Sequence, residues 1–130
     1  MNFLETIVWF TMNIYFEARS EPMDAMIAVG HTVCNRSKSR KLSIKDAITQ
    51  PYQYSWCNPE AKKQDIISNP TLVKDIVRCL EAAYLCAKER AEGKDLEGAE
   101  WYYNPKYADP YWKNSYAYIG TYGVQRFYRK

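Results

Sequence analysis

The 130-residue chain carries 18 Lys and Arg against 15 Asp and Glu, a formal charge of +3, with 47% hydrophobic and 25% charged residues. That length and balance describe one globular domain, residues 1–130, able to bury a core of its own, and exclude an intrinsically disordered chain. Four cysteines without a Cys-x-x-Cys pair, and His31 as the single histidine, exclude a disulfide scaffold and leave no zinc-ligand pattern.

Leu4, Ile7, Val8, Thr11, Ile14, Tyr15 and Ala18 recur at helical spacing and predict a first helix over residues 3–18. Glu5 and Asn13 interrupt the apolar run, no Lys or Arg precedes it, and no small-residue cleavage site follows. It is also shorter than the roughly 20 residues of a membrane span. It therefore reads as part of the fold, without membrane insertion, in a protein made in the cytoplasm without a signal peptide. Ser20 reads as the N-cap of a second helix, with Glu21 and Pro22 in its first turn. That helix is expected to reach about Ser37, with Met26, Val29 and Val33 along one face and His31 as a satisfied structural histidine.

Ser43 followed by Asp46 is a capping signal for a short helix that Pro51 stops near Gln50. Residues 51–69 read as irregular. From Asn69-Pro70 the period of Leu72, Val73, Ile76, Val77, Leu80, Ala83, Tyr84 and Ala87 predicts a helix to about Glu92, with Gly93 at C′. Cys79 and Cys86 lie seven apart on it, about 10 Å along the axis. That is beyond the disulfide reach of about 7 Å, and the thiols read as buried and inert. Beyond Gly98 come eight of the twelve tyrosines, between Pro105, Pro110, Gly120 and Gly123. This stretch reads as loops with short strands. The whole is a mainly α (α+β) domain, a helical core with an irregular aromatic flank.

Glu17 stands at the C-terminal end of the first helix, where the macrodipole places about half a negative charge. That position, together with desolvation by Tyr15 and Phe16, favours the neutral acid that general-acid catalysis requires. Arg19 would work in the opposite direction if it paired with Glu17, and Glu21 would add like-charge coupling. On local grounds alone Glu17 reads either as a surface acid or as a proton donor. Eleven aromatic residues between Trp101 and Tyr128 suit the faces of sugars, stacked bases or the filling of irregular structure. Lys38, Arg40, Lys41 and Lys45 read as a solvated basic face rather than a binding patch.

Four ordered blocks carry a resemblance. They are Asn13-Ile14-Tyr15-Phe16-Glu17-Ala18-Arg19-Ser20-Glu21-Pro22, then Ile27 through Arg36, then Gln50-Pro51-Tyr52-Gln53-Tyr54-Ser55-Trp56, then Gly98 through Pro105. In this order they resemble the SleB-type cell-wall hydrolases, which include spore cortex-lytic enzymes and phage and bacterial wall lysins. The resemblance implies a lysozyme-like fold acting on the glycan strands of peptidoglycan, with Glu17 as the catalytic acid. It also implies that Gln53, Tyr54 and Ser55 form one wall of a substrate groove and Tyr102, Tyr103 and Asn104 the other. Three positions depart from the family pattern. Ser20 stands for a glycine, Cys34 for an aliphatic residue, and Gln125 for a histidine, so no chemistry of that histidine carries over.

The implied reaction is lytic transglycosylation, in which one Glu serves as acid and then base, without a metal or organic cofactor. A hydrolytic muramidase would need a second carboxylate from Glu21, Asp24, Glu100 or Asp109. A wall- or nucleic-acid-binding module would need none. The expected partner is the peptidoglycan glycan strand, with no nucleic acid, and the expected state is a monomer. The expected setting is the cell wall after release, which is the host periplasm for a phage endolysin.

Overall fold

A computed structural model of the chain describes residues 2–51, 53–57 and 66–130. The predicted irregular segment 51–69 thus falls partly outside the described residues. Helix α1 spans Phe3–Ala18, as the periodicity predicts. The Asn2 side chain starts it by accepting a 2.8 Å hydrogen bond from the Glu5 amide.

Helix α2, Met23–Arg40, begins later and ends later than its sequence suggests. Pro22, not Ser20, occupies the N-cap, and Lys41 ends the helix in the left-handed region (φ 55°). Its polar last turn, Lys38 to Arg40, continues the helix because no breaker interrupts it. α3, Ile44–Thr49, is capped by Ser43 as predicted, through a 3.0 Å bond from the Asp46 amide. α4 spans Leu72–Ala91. Beyond it the Gly93 amide reaches Arg90 O at 3.0 Å and the Lys94 amide reaches Glu89 O at 2.9 Å, with Gly93 at φ 84°. This pair of bonds is a Schellman end, for which glycine is suited.

Three antiparallel strands complete the fold: β1 Trp101–Tyr103, β2 Ala117–Tyr122 and β3 Gln125–Arg129, in the order β1-β3-β2. Tyr102 lies opposite Phe127, and their tilted rings pack with centroids 5.1 Å apart. The β2–β3 hairpin turns at Gly123, whose φ is 59°. A Cβ there would lie 2.7 Å from Glu21 Oε1, the atom that accepts the Val124 amide at 3.1 Å. Glu21 thus anchors the hairpin to the α1–α2 turn.

α2 is the central element, packed by α1, α3 and α4. Its buried set includes Ala25, Met26, Ala28, Val29, Gly30, Thr32 and Val33 on several faces. Ile14, Tyr15, Met26, Val29, Cys79, Ala82 and Phe127 form the main core, and Val33, Ile48 and Tyr54 a smaller one. His31 is buried as expected, with Nε2 2.9 Å from Glu89 Oε1 and Nδ1 3.2 Å from Arg90 Nη1. Among the described residues no helix is long and apolar enough to cross a membrane.

Candidate active site

A cavity of about 550 Å³ opens between the end of α1, the 3₁₀ turn Ser55–Cys57 and the aromatic flank. Glu17 lines it, and among the described lining residues Glu17 is the one acid. The Tyr102 hydroxyl donates a hydrogen bond to Glu17 Oε1. Burial raises the Glu17 carboxyl above its ordinary range, and the Tyr102 bond and the Arg36 charge oppose that rise. Tyr102 itself is held far above the usual phenol range by burial and by the Glu17 charge. It therefore keeps its proton and acts only as a donor.

The position of Tyr102 is set from α2. Asn35 Nδ2 donates to Asp95 O at 2.9 Å and to Ala99 O at 2.8 Å, and Arg36 Nε donates to Glu100 O at 2.8 Å. These bonds hold the segment leading into β1. The backbone between the two Asn35 contacts is left-handed at Leu96, Glu97 and Gly98 (φ 53°, 52° and 81°). Two of those residues are not glycine, so the turn depends on its anchors. Arg36 is 4% exposed, lies 5.0 Å over the Tyr54 ring, and has no hydrogen-bond partner for Nη1 among the described residues.

The predicted site residues largely converge. Gln53, Ser55, Tyr102, Tyr103 and Asn104 all line the cavity with Glu17. Gln53 is oriented by Arg40, whose Nη1 lies 3.3 Å from Gln53 Oε1 and 2.7 Å from Gln50 Oε1. The amide NH2 of Gln53 is then the end left to donate to a ligand. Trp56 fixes the 3₁₀ turn by donating to Asn13 Oδ1 at 2.7 Å and stacking 4.6 Å from Phe16.

Tyr54 is the exception. It is 1% exposed, packs in the smaller core and lies 3.0 Å from Thr32 Oγ1, with burial pushing its phenol up to about 12. It supports the wall from behind, and the expectation that it lines the groove is corrected. Arg40 also leaves the predicted solvated face, because its partners are Gln50, Gln53 and Glu100.

Sequence reasoning gave no role to Arg36, yet it lines the cavity beside Glu17. A cation late in an amphipathic helix resembles a surface residue, and only α2's central position buries it. Trp101, Tyr107 and Trp112 join from the aromatic flank, and Gln125 from the start of β3. The Trp112 ring lies 5.7 Å from Tyr103 and 5.5 Å from Tyr116, so the wall is a cluster of mutually supported rings. Five of the eleven flank aromatics line the cavity; Tyr116, Tyr118, Tyr122, Phe127 and Tyr128 pack against neighbouring rings, and Tyr111 is exposed.

The other acids weighed as a second carboxylate are engaged elsewhere. Glu21 binds the Val124 amide, Asp24 the Ala25 amide, Glu100 lies 3.6 Å from Arg40, and Asp109 pairs with Lys113. Arg19 turns away from Glu17, donating to Tyr15 O at 3.3 Å and stacking 4.7 Å from the Tyr15 ring.

The fold is shared with two solved structures. One is the catalytic domain of the germination-specific lytic transglycosylase SleB from Bacillus anthracis, with a TM-score of 0.68 and 19% identity, covering 95% of this chain and 93% of that one. The other is the catalytic domain of the Bacillus cereus SleB protein, with a TM-score of 0.63 and 18% identity, covering 97% of this chain and 91% of that one. No curated protein matches the sequence. The pattern of the cell wall hydrolase family matches residues 20–128, beginning just after Glu17. That match takes in α2, α3, α4 and the sheet that walls the cavity, so the chain belongs to the cell wall hydrolase family and is an enzyme acting on peptidoglycan.

Proposed function

We propose that this protein cleaves the glycan strand between N-acetylmuramic acid and N-acetylglucosamine as a lytic transglycosylase, with Glu17 as acid and then base. The observation that carries the reading is the solitary Glu17 carboxyl, raised by burial, in a cavity walled by Tyr102, Tyr103, Trp101 and Trp112. Tyr102 occupies Oε1, which leaves Oε2 to carry the acidic proton. Glu17 gives that proton to the glycosidic oxygen as the bond breaks. The resulting carboxylate then takes the proton of the muramic C6 hydroxyl, which closes on the anomeric carbon to leave a 1,6-anhydro end. The route needs one carboxyl, whereas the two-carboxylate routes place a second acid about 5–9.5 Å away.

In the groove the aromatic rings would pack against the apolar faces of the sugars, while Gln53, Ser55 and Asn104 bond their polar edges. Muropeptide analysis of digested sacculi tests the proposal. The expected products carry 1,6-anhydro ends, and Glu17→Gln releases none. Products with reducing ends only would replace the transglycosylase route with a hydrolytic one. Equal release by Glu17→Gln would remove Glu17 from the mechanism. Binding of sacculi without release by the wild type would leave a wall-binding module.

A further inference from the structure

Helix α2 carries two arginines one turn apart on the same face, Arg36 and Arg40. Arg36 lines the cavity, whereas Arg40, the last residue of the helix, stands behind the lining. The Arg40 guanidinium reaches both walls. Its Nη1 donates to Gln50 Oε1 at 2.7 Å and to Gln53 Oε1 at 3.3 Å. Its Nη2 lies 3.6 Å from Glu100 Oε1, and its centre 5.9 Å from the ring of Trp101.

A guanidinium has donors only, so the end of each amide that faces it is the carbonyl. Gln53 therefore turns its Nε2 away from Arg40. Asn104, on the opposite wall, is fixed in the same sense, because its Oδ1 accepts the Lys106 amide at 2.9 Å and its Nδ2 is the end left over. Both residues line the cavity with Glu17. Among the described residues no hydrogen bond engages Gln53 Nε2 or Asn104 Nδ2.

We propose that Gln53 and Asn104 are a specificity-determining pair of one-way donors, and that Arg40 is the positioning residue that sets the polarity of Gln53. The identity of the ligand rests on the glycan-strand reading. A free amide turns about its last bond and serves donors and acceptors alike. An amide held by its oxygen serves acceptors only. The groove thus offers N–H groups from two sides to the acceptor oxygens of a sugar strand, its hydroxyl, ether and acyl oxygens. Because the same guanidinium is drawn to Glu100, its hold on Gln53 also fixes one wall relative to the other. The Arg40 side chain is 28% exposed, so its ion pair contributes little to stability, and its effect falls on the groove.

The test titrates the Glu17→Gln protein with peptide-free glycan strands and compares Kd among variants that all carry this change. Gln53→Met removes the donor and is expected to weaken binding about 5-fold or more. Gln53→Glu and Asn104→Asp keep the oxygen that faces Arg40 or the Lys106 amide and lose only the N–H. They are expected to weaken binding by a similar factor at high salt, where charge repulsion is screened, with no fall in Tm. Arg40→Met is expected to weaken binding about 3- to 10-fold, and to add nothing in the Gln53→Met background. Arg40→Lys recovers most of the loss, since an ammonium also donates to Gln53 Oε1. The proposal is overturned if Gln53→Met binds as tightly as its parent, or if the weakening by Gln53→Glu and Asn104→Asp vanishes at high salt. It is also overturned if Arg40→Met costs the same with and without Gln53, which is the mark of a merely structural residue. Absence of binding by the Glu17→Gln parent overturns it too, whereas the cleavage reading is decided separately by product release from the wild type.

Discussion

Replacing Tyr102 with Phe removes one hydroxyl and keeps the ring that packs on Phe127. The hydroxyl donates to Glu17 Oε1, and a hydrogen bond to a charged group contributes about 1.5–3 kcal/mol. The bond is strongest when Glu17 is ionised, the state formed as its proton passes to the leaving oxygen. If half to all of that energy is realised in the transition state, the plateau rate of wall lysis falls about 4- to 160-fold. Its loss also removes one of the two influences that hold the Glu17 carboxyl down. The pH above which activity is lost, where the acid ionises, therefore moves upward in the variant. Turbidity clearance of purified sacculi over a pH series measures both effects, with thermal unfolding as a check that the variant folds. An unchanged plateau and an unmoved alkaline limb would refute the role given to Tyr102.

Glu17→Gln is expected to be inactive yet more stable than the wild type at neutral pH. A carboxyl raised by burial binds its proton more tightly folded than unfolded, so its contribution to stability declines as pH rises from the unfolded pKa of about 4.3 through the folded value. The difference in Tm between variant and wild type should shrink toward pH 4, and a gap independent of pH contradicts this account. Asn35→Ala should destabilise by about 2–4 kcal/mol in urea unfolding, because it strands the Asp95 and Ala99 carbonyls and one Arg90 contact; a loss under about 0.5 kcal/mol would show that the 95–99 turn holds itself. Gly123→Ala should cost about 1–3 kcal/mol, since it combines a φ of 59° with a Cβ 2.7 Å from Glu21 Oε1. Unchanged thermal stability would mean that the turn relaxes without loss.

The parts of the fold legible in the sequence are those fixed by neighbours in the chain. The period of α1 and α4, the Ser43 cap of α3 and the Gly93 end of α4 all depend on residues within a few positions. The start of α2 was not legible, because Glu21 is drawn to the Val124 amide 103 residues away and the helix begins only after Pro22. The strands could be expected but not paired, since Tyr118, Tyr122, Phe127 and Tyr128 supply rings without clean polar alternation. Glu17 shows the same limit. Local reasoning found the helix end and the aromatic neighbours, and it offered Arg19 as the cation nearby. The cation that faces Glu17 is Arg36, and the phenol bonded to it is 85 residues away.

On the proposed route Glu17 must give a proton and then take one back, and either extreme of acidity would stop it. Burial alone would hold the carboxyl neutral and make it a weak donor. A full ion pair would keep it ionised, with no proton to give. The site avoids both. Arg36 is already committed to Glu100 O and lies over the Tyr54 and Trp101 rings, so its charge reaches Glu17 without a salt bridge that would lock the ionised form. Tyr102 adds a donor that cannot lose its own proton in the working range. Both groups are in place before the reaction, and both favour the carboxylate at the moment it forms. This is the condition under which fixed dipoles and charges lower a barrier rather than merely hold a ground state. A second carboxylate beside Glu17 would undo the balance, because its like charge would raise the acid further and oppose the charge that must form. The engagement of Glu21, Asp24, Glu100 and Asp109 elsewhere is therefore part of what suits the cavity to a single-acid reaction.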